Sequence, residues 1–212
     1  MKAHRLAAAG RIEEAVIESK RAQELDPLEI PPKIGEGAIF LHAQRFDAAI
    51  ERFQQIVKLA PDSGLAHDWL GYAYASNGMY REAIAEYQQS IKLQGENTSD
   101  QCSLGHALAK SGNRSEALAI LNKLKTGKQY VSPAELAILY LGLGDKEGAF
   151  QSLEKAYAER DLQLQNLKSD PRYDDLHNDP RFADLVRRVG LPAKSASEME
   201  QRISPTHISR TN

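Results

Sequence analysis

The chain has 212 residues, 42% hydrophobic and 26% charged, the balance of a folded globular protein rather than a disordered one. Its net charge of -2 excludes a broad electrostatic footprint for nucleic acid or anionic lipid, and its one cysteine, Cys102, excludes an intrachain disulfide and a multi-thiolate metal site. The longest nearly apolar run, Leu136–Leu143, is too short to span a bilayer and no secretory signal is visible, so the expectation is a soluble, cytoplasmic protein with no membrane insertion.

Alanine (28) and leucine (24) far outnumber valine (5) and threonine (4), which predicts an all-α chain. In chain order, a short helix is expected near 2–9. Pairs follow near 11–25 and 32–43, 47–59 and 64–77, 81–93 and 98–111, and 115–125 and 133–143, with a last helix at 146–159. Ser132-Pro133-Ala134-Glu135 reads as a capping box with proline at the first helical position, which fixes the start at 133.

The helices recur with a fixed period. Pro27 and Pro61 each follow a helix at equivalent positions, and Gly95 continues the series. Gly78, Gly112 and Gly144 mark a second phase, which Gly10 and Gln44 extend backwards. A glycine here ends the first helix of a pair through positive φ, and a proline blocks continuation of the second. Small residues at Gly37, Gly71, Gly105 and Ala137, and alanines at Ala15, Ala49, Ala83, Ala117 and Ala149, let paired helices approach. Phe53, Tyr87, Leu121 and Leu153 fill the space between them. One such pair cannot bury its own apolar face, whereas a stack of pairs can.

The segments WLGYAYASNGMYREAIAEYQQSIKL and FLHAQRFDAAIERFQQIVKLAP closely resemble tetratricopeptide repeats, with one partial and four full units over roughly residues 1–158. The resemblance implies a right-handed superhelix, a solenoid of antiparallel helix pairs whose first helices line a concave groove. It departs from the family pattern in three places. Trp69 sits two places later than usual, Arg114 replaces an aromatic, and the fourth unit is short with no proline before Gly127.

Residues 159–192 read as a C-terminal helical cap and 193–212 as a disordered tail. The cap holds two copies of Asp-Pro-Arg-aromatic, Asp170–Tyr173 and Asp179–Phe182. Aspartate caps and proline opens, so short helices should start at Pro171 and Pro180, the second stopping at Gly190 and Pro192. Phe182, Leu185, Val186 and Val189 form the apolar face that should cover the last repeat. This ending resembles the caps of repeat arrays in large bacterial signalling proteins, where such arrays follow kinase, cyclase or winged-helix domains.

No phosphate loop, nucleophile elbow or zinc-protease motif is present, and no cofactor or metal is expected. Cys102 and His106 share a helix face but lack an orienting acid, so a non-catalytic protein is expected. Arg172, Arg181, Arg187 and Arg188 read as a solvated basic face.

The groove is the functional candidate. Helical phase places Ile34, Ala38, Leu41 and His42, then Asp68, Trp69, Tyr72 and Ser76, then Cys102, Ser103, His106 and Lys110 on its inner face. Trp69 and Tyr72 would form an aromatic wall for a peptide or partner helix. Some family members clamp C-terminal carboxylates on this face. The matching positions, Ile34, Ala38, Trp69, Ser99 and Ser103, lack that clamp. The leading expectation is an interaction scaffold in a bacterial signalling or regulatory system. The alternative is a structural spacer or dimerisation module of a larger kinase, cyclase or regulator, with an open N-terminal edge meeting a second copy and Met1 preceded by further sequence.

Overall fold

Alanine- and leucine-rich stretches carrying a 3.6-residue apolar pattern form helices along the whole array. The computed structural model describes residues 6, 11–25 and 30–191. The helix expected near 2–9, apart from helical Leu6, lies outside these residues, as do Pro27, Pro192, the tail and with them most of the proposed N-terminal edge. Among the described residues there are ten α-helices and no strand. They are α1 (Ile12–Leu25), α2 (Ile30–His42), α3 (Phe46–Leu59), α4 (Gly64–Ser76), α5 (Tyr80–Gln94), α6 (Thr98–Lys110), α7 (Arg114–Thr126), α8 (Pro133–Gly142), α9 (Lys146–Glu159) and α10 (Pro180–Val189). From α1 to α9 the boundaries fall within two residues of those expected.

Each helix up to α7 packs on the next in sequence, and α2, α4, α6 and α8 also touch one another along one side. This is a solenoid of antiparallel helix pairs, paired α2/α3, α4/α5, α6/α7 and α8/α9 rather than in the pairs expected from the sequence, with the first helix of each of these pairs on the shared inner side. Missing side chains set the spacing. A Cβ at Gly37 on α2 would lie 2.5 Å from the Phe53 ring on α3, and one at Gly71 on α4 would lie 2.9 Å from Tyr87 on α5. Both rings are fully buried, as are Ala49, Ala83, Ala117 and Ala149. In the shorter fourth unit α8 packs mainly on α6 rather than on α7, and Gly105 faces Leu139 of α8.

The turns repeat as closely as the helices. Gln44, Gly78, Gly112 and Gly144 all have positive φ, at 57°, 76°, 97° and 75°. The residue after each donates its N–H five residues back, as in Met79 to the Tyr74 carbonyl at 2.9 Å and Asp145 to the Tyr140 carbonyl at 2.9 Å. This is the Schellman closure, and glycine is its natural occupant. Gln44 makes the same turn with a side chain in the left-handed region. Arg114 has its own task in place of the usual aromatic, since its Nη1 donates to the Leu143 carbonyl at 2.6 Å and ties two turns together.

The cap starts as expected at Pro171 and Pro180, but Pro171–Leu176 is a 3-10 helix rather than an α-helix, and a further 3-10 helix spans Leu162–Asn166. Asp161, Asp170 and Asp179 cap the three segments. Phe182 and Leu185 are buried with Leu164, Leu167, Tyr173 and Leu176 in one cluster that includes α8 and α9, with Val186 and Val189 packed against it. The Tyr173 hydroxyl donates to the Ala134 carbonyl at 2.8 Å. The last helix pair and the cap therefore share a single core.

Two substitutions should move stability in opposite directions. Gly37→Ala should cost about 1–3 kcal/mol by displacing Phe53. Gln44→Gly should add about 1 kcal/mol by relieving its left-handed backbone. Urea unfolding midpoints check both, and shifts of the same sign would contradict this packing.

Candidate functional site

The inner faces of α2, α4, α6 and α8 enclose a cavity of about 210 Å³, and the cap supplies its remaining wall. α2 contributes Ala38, Leu41 and His42, and α4 contributes Asp68, Trp69 and Tyr72. Ser99, Cys102 and Ser103 come from α6, and Glu135 and Ile138 from α8. Trp69 stacks on Phe53 with ring centroids 5.7 Å apart and meets Tyr72 edge-on at 6.1 Å. The expected aromatic wall exists, and both of its rings are half-buried.

Arg172 overturns the expectation of a solvated residue. Its side chain is 13% exposed, with the guanidinium carbon 4.5 Å above the Tyr72 ring centroid. Nη1 donates to the Ser103 hydroxyl at 3.1 Å, while Nε and Nη2 donate to Asp170 at 3.1 and 2.6 Å. The Asp170 carboxylate also accepts the Arg172 backbone N–H at 3.0 Å, so the cap of the 3-10 helix and the counter-ion are one group. The second copy repeats this local grip. Asp179 accepts from the Arg181 backbone at 3.0 Å and from its guanidinium at 2.9 Å. Arg181 nevertheless stays half-exposed over the Phe150 ring, paired with Glu147. Arg187 and Arg188 remain at the surface as expected, paired with Asp184 and Glu154.

Of the other expected groove residues, four do not line the cavity. His106 is 3% exposed, under the Tyr80 ring and against Gly142, where a Cβ would lie 2.8 Å from the His106 Cα. Burial, aided by Arg172 and Lys110, lowers its pKa to about 3, so the imidazole is neutral. Ile34 belongs to the core, and the Ser76 hydroxyl oxygen is buried without a hydrogen-bond partner. Lys110 lies outside the cavity and donates to Asp175 of the cap at 2.9 Å. Cys102 lines the cavity but is 1% exposed, and burial pushes its thiol well above the usual range. A protonated thiol beside a neutral imidazole is not an activated nucleophile.

The carboxylates are the feature that sequence reasoning undervalued. Asp68 is raised to about 7, first by burial and then by Asp100 and Glu135, with Arg172 opposing. Glu135 is also raised, chiefly by burial, although Ser99 and Arg172 favour its charged form. Ser132 caps α8 as expected, accepting the Glu135 backbone N–H at 3.3 Å, while the Glu135 side chain lines the cavity. Asp100, 3% exposed, accepts from Ser90 at 2.7 Å and Gln94 at 3.0 Å. Nothing local in the sequence distinguishes Arg172 from Arg181. The spacing of Asp68 and Glu135 on separate first helices was the available signal for the acidic pair.

The tetratricopeptide repeat model matches residues 35–98. Among solved structures, the fold is similar to TTC0263, a thermophilic TPR protein of Thermus thermophilus. The TM-score is 0.57 at 21% identity, covering 87% of this chain and 95% of that one. It is also similar to MamA, with a TM-score of 0.52 at 19% identity over 77% and 96% of the two chains. The APC/C hetero-tetramer Cut9–Hcn1 aligns with a TM-score of 0.59 at 17% identity, over 88% of this chain and 38% of that one. The sequence has no significant match among curated proteins. These likenesses establish the class of fold, an all-α solenoid of tetratricopeptide type. Among the described residues no helix is long and apolar enough to cross a membrane, and no cluster of three or more histidine, cysteine or acidic side chains is placed to hold a metal.

Two measurements follow. Arg172→Met strands the buried Asp170 carboxylate and should cost about 3 kcal/mol, whereas Arg181→Met at the exposed copy should cost under about 1 kcal/mol. Comparable urea midpoints for the two variants would contradict the burial assigned to Arg172. The second concerns pH. An aspartate near 3.9 when unfolded and about 7 when folded binds more protons in the native state between those values. Its contribution to stability therefore falls as pH rises from about 4 to about 7. Asp68→Asn should raise the melting temperature at pH 8 and leave it nearly unchanged at pH 4. An equal effect at both pH values would contradict the shift.

Proposed function

We propose that the chain is a cytoplasmic, non-catalytic interaction scaffold that binds a protein or peptide segment in its concave groove. On this reading residues 1–158 are the array, 159–192 the cap and 193–212 a tail. The cavity bounded by α2, α4 and the cap carries the proposal, because it combines an aromatic wall with polar and acidic groups on a helical scaffold. His42, Asp68 and Trp69 are the contact residues, with Tyr72 and Ser103 reached through Arg172. Ser76 and His106 lie outside the cavity lining, and Lys110 holds the cap. Nucleic acid is a poor match to a net charge of -2. The Asp-Pro-Arg ending supports placing the chain among bacterial regulatory arrays.

A photo-reactive residue at exposed His42, on the groove rim, should cross-link to a partner in lysate of the source cell. The same residue at exposed Glu82 on α5 should not. Equal labelling from both positions, or labelling only from Glu82, would reject the groove as the partner site.

A further inference from the structure

The cavity holds more acid than base. Asp68 and Glu135 line it, and Asp100 lies behind Asp68. Arg172 is the guanidinium beside them, and its donors are directed to Asp170 and Ser103. The salt bridges among the described residues leave both Asp68 and Glu135 out.

A second observation is independent of the carboxylates. The Tyr87 side chain is fully buried, and its hydroxyl has no hydrogen-bond partner of acceptable geometry. Its electrostatic neighbours Arg172, Asp68, Ser103 and Asp170 all line the cavity, so the hydroxyl lies behind the cavity wall. A buried hydroxyl left unsatisfied is costly.

The chain itself displays what this lining accepts. Arg172 lies over the Tyr72 ring and donates to a hydroxyl and a carboxylate, a cation–π and forked arrangement that suits a guanidinium. Trp69 continues the aromatic wall from Tyr72 along the cavity. A cavity of about 210 Å³ has room for one long side chain. A helix, about 10–12 Å across with its side chains, does not fit.

We propose that the cavity seats one arginine or lysine side chain from an extended partner segment, held by Trp69, Asp68 and Glu135 beside the resident Arg172. The proposal rests on the groove being the partner site and adds the chemistry of what enters it. A cation there lies against the aromatic wall and offsets the two half-buried carboxylates.

Trp69 is the only tryptophan of the chain, so its fluorescence reports the cavity directly. The full-length protein is titrated at pH 8 with hexapeptide pools whose central residue is fixed as arginine, lysine, citrulline, leucine or glutamate. Arginine and lysine pools should perturb Trp69 with at least tenfold higher affinity than the isosteric, neutral citrulline pool. Asp68→Asn and Glu135→Gln, each confirmed folded by circular dichroism, should reduce that preference at least fivefold. Leucine or citrulline pools binding as tightly would overturn the cation seat and leave the groove reading intact. A basic preference unchanged in both variants would also overturn it, by placing the cation elsewhere. No response from any pool would remove both readings.

Discussion

In two of the helix pairs the helices close on one another where one of them carries no side chain. At Gly37 and Gly71 the missing Cβ is the space that the Phe53 and Tyr87 rings occupy. That contact sets the distance between first and second helices, and through it the tilt of each pair against the next. The run of first helices along one side is its consequence, and so is the concave surface that Trp69, Tyr72 and Ser103 share. The Tyr87 ring connects this geometry to the groove, because it packs on Gly71 while its hydroxyl lies near Asp68, Ser103 and Arg172 of the cavity wall. Close packing of this kind tolerates little change in volume, so the groove inherits the rigidity of the pairs.

The cap changes what that groove can hold. An open superhelical channel accommodates a long peptide or a helix, but here the segment from Leu162 to Leu176 crosses its C-terminal half. Burying Arg172 carries a desolvation cost, which its pairing with Asp170, the Ser103 hydroxyl and the Tyr72 face offsets. Such a buried ion pair adds little net stability but specifies position, since few other placements satisfy all three partners. Lys110 paired with Asp175, and Tyr173 bonded to the Ala134 carbonyl, pin the same segment at two further points. The result is a cavity of side-chain size where a channel would otherwise run.

Most of the fold was legible in the sequence because it is repeated. Period, turn glycines and small residues all carry local meaning, and they located nine helices to within two residues. Even Gln44, a non-glycine in the glycine series, keeps the positive φ of its equivalents. Legibility stopped where tertiary geometry took over. The two Asp-Pro-Arg copies are alike in sequence and in local hydrogen bonding, yet one arginine enters the groove and the other lies on Phe150. Helical phase put His106 on the inner face, but it could not show that Gly142 of α8 would settle against it and take it from solvent. In the same way, Ser132 and Glu135 advertised a cap, and the carboxylate of that motif lines the cavity.

The central claim is that the cap closes the groove through Arg172. Arginine side-chain NMR tests it most directly, using the ¹⁵N-coupled Nε–H resonances at pH 7.5. A seated Arg172 predicts one Nε–H signal protected from solvent exchange, with cross-relaxation to the Tyr72 ring protons and loss of the signal in Arg172→Met. Uniformly fast exchange of every arginine Nε–H, with no contact to Tyr72, would contradict it and leave an open groove.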